Sequence, residues 1–235
     1  MKPQVNTKSA PLFIGTSHID PAGYRHLMEI LESNRPDMIL LEVSPMSIIL
    51  RRTYGFICRL ILDHNLKGGG PGLSPEIRNI ISYLDIPYEY TAARDYCMRT
   101  GAVYRLVDVS IISLARFFHA YKLVSKKNLT AAAASSNDRF SHEKGIAGNI
   151  FNKNDRFLLN MKLSQFSRDR LAVYRENILL RRVQRIVRKN SGRRIVYIGG
   201  WEHLMDAPGT GLLYQGFRET AGRIIAFMNQ KDYAK

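Results

Sequence analysis

Residues 12–43 read LFIGTSHIDPAGYRHLMEILESNRPDMILLEV, and the fold follows from them. Leu12, Phe13 and Ile14 form a short apolar run ending at Gly15, the pattern of a buried strand that meets a turn. From Pro21 to Ser33, Leu27, Ile30 and Leu31 recur at helical spacing, and Asn34-Arg35-Pro36 stops the run. Residues 38–43 (MILLEV) make a second apolar strand with Glu42 at its C-terminal end. Two short strands joined by a helix form a βαβ unit, so they are expected to be parallel neighbours in a covered sheet.

The alternation continues downstream. Residues 47–64 suit a helix, followed by the glycine-rich stretch KGGGPG at 67–72. A further helix opens at Ser74-Pro75-Glu76, where Ser caps and Pro takes the first position. Residues 86–90 suit a strand before a short helix to Met98, 103–107 form a third apolar run ending at Asp108, and 110–122 suit a helix. Residues 131–153, with AAAASSN, Gly145 and Gly148, suit a mobile loop or lid. A long helix is expected over 154–189. There Phe166, Val173, Leu180 and Val187 repeat every seven residues, and Asp169, Glu176 and Val183 hold the intermediate positions, so two acids interrupt an apolar stripe. Residues 195–198 (IVYI) give the last strand, Gly199-Gly200 break it, and 211–227 close the chain as a helix. The expectation is a single α/β domain over 1–235, with a mostly parallel central sheet flanked by helices.

Composition bounds the function classes. With 235 residues, 45% apolar and 23% charged, the chain is neither disordered nor dependent on disulfides or metal for its core. Cys58 and Cys97 stand alone, which argues against a disulfide framework or a cysteine zinc site. No window approaches the roughly 18 apolar residues of a membrane span, and the first residues lack an apolar signal core. A cytoplasmic protein is expected. The charge of +15 is uneven: residues 1–120 carry 13 basic and 11 acidic side chains, residues 121–235 carry 22 and 9. The segment 168–194 alone holds 10 basic and 2 acidic residues, which suits either a polyanion contact or a solvated basic helix face.

The chemistry concentrates where strands end. Gly15-Thr16-Ser17-His18 follows the first strand, Glu42 ends the second, and Gly200-Trp201-Glu202-His203 follows the last. Ligands of open α/β sheets bind beyond the carboxyl ends of the strands. Two G-x-x-H turns and a carboxylate can therefore converge there, and two imidazoles with one carboxylate are a divalent-metal set with open positions. Each residue also has a plainer use: either His as a turn residue or helix cap, Glu42 as a partner for a sheet-edge cation, Glu202 as a solvent-facing neighbour of His203. Serines 17, 44 and 110 lack a nucleophile-elbow context. The 67–72 stretch lacks the terminal G-K-[ST] of a phosphate loop.

These motifs resemble the TraB/PrgY/GumN family, to which the Tiki metalloproteases are related, within a group that includes erythromycin esterase-like and ChaN-like proteins. The resemblance runs through FIGTSH (13–18), RPDMILLEVSP (35–45), Glu89, Ala93, GAVYRLVD ending at Asp108, SRDRLA (167–172) and IVYIGGWEHL (195–204). It implies a metal-dependent hydrolase, peptidase-like, acting on a peptide or small acyl substrate. His18, His203 and Glu42 would hold manganese, cobalt or zinc. Glu42 and Glu202 are the candidate general bases. The family's Arg-Asp pair corresponds to Arg168-Asp169, with Arg168 placed to stabilise an oxyanion and Asp169 turned into the crevice. Glu176, outside any motif, is expected at the sheet edge or bonded to an arginine. Ser167 and Val109 depart from the family pattern, which has Glu and Arg there. The alternative is a non-enzymatic regulatory or binding protein that holds a peptide, a haem-like ligand or a polyanion.

Overall fold

The computed structural model describes residues 11–66, 74–110, 120–135, 138–153, 155–168, 170–205 and 223–226. Five parallel strands form one sheet: β1 (Leu12–Thr16), β2 (Met38–Leu41), β3 (Val103–Leu106), β4 (Ile195–Gly200) and β5 (Arg223–Ala226), in the order β3-β2-β4-β1-β5. The α/β architecture is as expected, with one correction at its centre. β1 and β2 are parallel but not neighbours, because β4 lies between them and pairs with both. The reason is hydrophobic. Five of the six residues of β4 are buried, so it needs cover on both faces and both edges, whereas β3 alternates exposed and half-buried residues and sits at the rim.

Side chains of alternate parity separate two cores. Ile14, Ile39, Leu41, Val196 and Ile198 pack on one face against α1 (Gly23–Asn34) and α5 (Tyr88–Thr100). Phe13, Met38, Leu40, Ile195 and Tyr197 pack on the other against Leu179 and Val183. These two belong to the 20-residue helix Arg170–Lys189. Helix α1 ends as its sequence requires: Arg35 takes a left-handed conformation (φ 46°), donates its N–H to the Leu31 carbonyl, and leads into Pro36.

Between β2 and α5 the chain builds a separate helical layer from α2 (Pro45–Leu50), a π-helical turn at Arg51–Gly55, α3 (Phe56–Leu66) and α4 (Pro75–Leu84). Ser74 caps α4 by accepting from the Ile77 N–H, with Pro75 at the first position, as its sequence indicates. The 67–72 stretch lies outside the described residues. After β3 come α6 (Ala120–Leu123), α7 (Lys126–Ala134), α8 (Arg139–Lys153) and α9 (Arg156–Arg168), and Arg170–Lys189 becomes α10. No described helix is long and apolar enough to cross a membrane.

Three local expectations are overturned. Residues 86–90 are not a strand: Tyr90, Ala93 and Cys97 are buried at helical spacing, so a period of 3.6 wins over a period of 2 and Tyr88 opens α5. The described residues of 131–153 are helical rather than a loop. They hold the end of α7 and all of α8, because an alanine run is the best helix former and Asp138 caps the next helix by accepting from the Ser141 N–H. Residues 223–226 are not helical: Ile224 and Ile225, both β-branched, extend the sheet beside β1. The rest of the helix expected over 211–227, like residues 111–119, lies outside the described residues.

Leu40 is fully buried at the centre of the sheet, whereas Ile49 on α2 is 54% exposed. Leu40→Ala should cost about 2–5 kcal/mol in urea unfolding, and Ile49→Ala no more than about 0.5 kcal/mol.

Candidate functional site

The carboxyl ends of β3, β2, β4 and β1 place Asp108, Glu42, His203 and His18 along one rim of the sheet. The β2 ladder continues one residue past the strand, since the Glu42 N–H donates to the Ile198 carbonyl at 2.9 Å. That fixes Glu42 in the middle of the row. Its carboxylate accepts four donors: on Oε1, Arg175 Nη2 at 2.6 Å and His203 Nε2 at 2.8 Å; on Oε2, the Tyr197 hydroxyl and the Gly200 N–H, each at 3.0 Å. Arg175 also forks onto Asp108, through Nε at 2.7 Å and Nη2 at 2.8 Å. Burial alone would raise the Glu42 pKa, but His203 and Arg175 hold it well below the usual carboxylate range. Gly199 is required here, because a Cβ at that position would run into Glu42 Oε2 and the Tyr197 hydroxyl.

His203 sits between two carboxylates. Nε2 meets Glu42, and Nδ1 lies 2.5 Å from Glu176 Oε1. A carboxyl group faces each ring nitrogen, an arrangement that favours the imidazolium over the neutral ring. Burial alone would lower its pKa, yet the two carboxylates push it up to about 10.

His18 has a different partner. Its Nδ1 is 2.6 Å from Oε1 of Glu89, which is 2% exposed and also accepts from the Thr16 hydroxyl at 3.0 Å. Glu89 raises the His18 pKa above its ordinary 6.5, against the opposing effect of burial. With 57% of its side chain exposed, His18 opens onto a cavity of about 300 Å³ together with Glu42, Asp108 and Arg175. The helical layer roofs this cavity. Ser47 and Arg51 come from α2 and the π-helical turn, Asn79, Ser82 and Tyr83 from α4, and Arg139 and Glu143 from α8. Ser17 ties the roof to the sheet by donating to Glu143 at 3.0 Å.

The expected metal set is therefore divided. His18 and Glu42 line one cavity and Glu42 pairs with His203, but Glu42 already meets four donors and each His203 nitrogen faces a carboxyl group. This donor set fits a protonated imidazole between carboxylates and does not fit a divalent cation. Among the described residues no group of three or more His, Cys, Asp or Glu side chains is disposed to hold a metal ion. Glu202 pairs instead with Lys162 at 2.7 Å. Arg168 closes α9 with its side chain outside the described residues, and Asp169 lies outside them altogether. Glu176 is not an exposed rim residue: it is 1% exposed, and its Oε1 forms an ion pair with His203 Nδ1. The sequence did carry a signal for it, an acid within the apolar stripe. Arg175 and Tyr197 had no such signal. The chain matches no family model, no curated protein and no solved structure.

Two outcomes follow from the Glu42 cluster. Glu42→Gln, which leaves Arg175 and His203 short of a countercharge, should lower unfolding free energy by about 3–5 kcal/mol. Because His203 is raised from 6.5 to about 10 on folding, the folded state holds the extra proton. Its contribution is complete below pH 6.5 and disappears as pH climbs towards 10. Urea midpoints taken across that interval should decline for the wild type and flatten for His203→Gln.

Proposed function

We propose that the protein is a hydrolase of ester or amide bonds in which His18, oriented by Glu89, activates the attacking water. The observation that carries this reading is the His18–Glu89 pair at the wall of the cavity. A carboxylate that accepts from Nδ1 fixes the tautomer and leaves the Nε2 lone pair for the cavity. Nε2 takes a proton from water as the oxygen bonds to the acyl carbon. Arg51, held by the Asp85 carbonyl at 2.6 Å and the Ser47 hydroxyl at 3.3 Å, supplies positive charge to the developing oxyanion. When the carbon–leaving-group bond breaks, His18 returns the proton to the departing oxygen or nitrogen. The Glu42–His203–Glu176 chain is the rigid floor of the site and takes no part in proton transfer. A cavity of about 300 Å³ suits a small acyl group or the end of a peptide. The motif resemblance to the TraB group supports the same reaction class.

Turnover of a panel of p-nitrophenyl esters and aminoacyl anilides tests the reading. His18→Ala should lower kcat/KM at least about 100-fold. For the wild type, kcat/KM should rise with pH through a pKa above 6.5, since the base must be unprotonated and Glu89 raises it. Glu89→Gln, which removes that charge, should move the rising limb to lower pH. Chelation should leave the rate unchanged. A rate abolished by chelation and restored by manganese, cobalt or zinc would replace this mechanism with the metal-dependent one. Equal rates for wild type and His18→Ala would overturn it, as would turnover by neither.

A further inference from the structure

Helix α10 divides its basic residues between two environments. Arg175 turns inward onto Glu42 and Asp108, and Arg182 donates to the Val107 and Asp108 carbonyls at 3.2 and 3.0 Å. Arg181, Arg185, Arg188 and Lys189 turn outward at spacings of four, three and one residue, so they share one helix face and line a shallow surface groove. All four are exposed, and none makes an ion pair or hydrogen bond among the described residues. The cause lies in the helix sequence: Glu176 is the only acid in α10, and it is spent inside on His203. No carboxylate on the helix remains to balance the outer face.

We propose that this face of α10 binds the phosphate backbone of duplex nucleic acid, without reading its sequence. Arg181 to Arg188 cover about 10 Å of helix axis, over which a duplex presents about six charges. The charge complementarity is one-sided, because the whole chain carries +15. A membrane is the poorer partner. The exposed large apolar residues of α10, Leu171 and Tyr174, lie ahead of the cationic stretch, and none occurs from Arg181 to Lys189. An interfacial helix needs apolar side chains that enter the lipid beside its cations. The stretch carries no aromatic platform on which bases could stack, and four cations along one face match the regular phosphate charge, so the contact is assigned to the backbone.

Fluorescence anisotropy with a random-sequence DNA duplex of about 20 bp, and with its RNA counterpart, tests the proposal across a salt series. With four cations engaged, log Kd plotted against log salt should have a slope of magnitude about 3.6. Arg181→Glu/Arg185→Glu/Arg188→Glu should weaken binding at least about 30-fold at low salt and reduce that slope by about 3. The neutral triple Arg181→Gln/Arg185→Gln/Arg188→Gln should shift both in the same direction, which keeps the test valid should the glutamate variant unfold. A control, Arg25→Glu/Arg52→Glu/Lys127→Glu, carries the same net charge as the glutamate triple and should retain the wild-type slope. Equal loss in control and α10 variants would overturn the proposal, because net charge and not this face would then be responsible. No duplex binding at low salt would overturn it too, as would binding only to vesicles of equal parts phosphatidylglycerol and phosphatidylcholine.

Discussion

A buried carboxylate with four donors organises this molecule. Glu42 stands at the end of β2, and its partners come from α10, from β4 and from the turn after β4. A single ion of this kind, taken out of water, would be untenable unless every lone pair were met. Meeting them fixes the register of the central strands against the helix on their covering face. It also explains the chemistry of the neighbours. Tyr197 remains a phenol because burial and the adjacent Glu42 charge drive its pKa well above 10. His203 remains charged because it has an acceptor on each side. Arg175 has its charge spread over two carboxylates. The cluster is a closed electrostatic unit.

That closure separates two histidines whose G-x-x-H turns are spelled alike. One histidine is locked into the floor of the crevice with both nitrogens committed. The other has one nitrogen on a buried acid and half its surface open to a cavity. The same sequence grammar thus yields a buried histidine between two acids at the end of β4 and a cavity-facing histidine paired to a buried acid at the end of β1. The difference is set by the partners brought from elsewhere: Glu176 from α10 for the first, Glu89 from α5 for the second.

The fold was legible in the apolar runs, because strands buried on both faces write themselves as continuous hydrophobic stretches, as in MILL and IVYI. Strand order was not. Nothing local in residues 12–43 says that a strand from residues 195–200 will enter between the two they contain; that follows only from how apolar each strand is as a whole. The helix boundaries failed where glycine or alanine looked like loop composition, as in 131–153. Of the site, the residues on strand ends could be found from position alone. Their partners on helices could not, because a helical acid such as Glu89 or Glu176 shows its burial only through the stripe it interrupts. Glu89 is buried in a helix whose surroundings read first as a strand, and that misreading hid the residue that orients His18.

The place of β4 at the centre of the sheet also governs how the chain can assemble. Phe13 pairs with Tyr197, and Leu40 with that same residue, so the middle ladder waits for the last third of the polypeptide. Until it arrives, β1 and β2 each present an open, strongly apolar edge, with no short-range pairing to close it. Such long-range closure is slow, since the entropy of a large loop is lost before any contact rewards it. A chain emerging from the ribosome therefore passes through a stage in which two of its most aggregation-prone segments are complete and unsheltered. The helices of the layer, α2 to α4, are present at that stage, but their core around Cys58, Leu62 and Ile77 also takes Ala120, Val124, Leu129 and Ala132 from beyond β3. It too is completed only after β3 has been made.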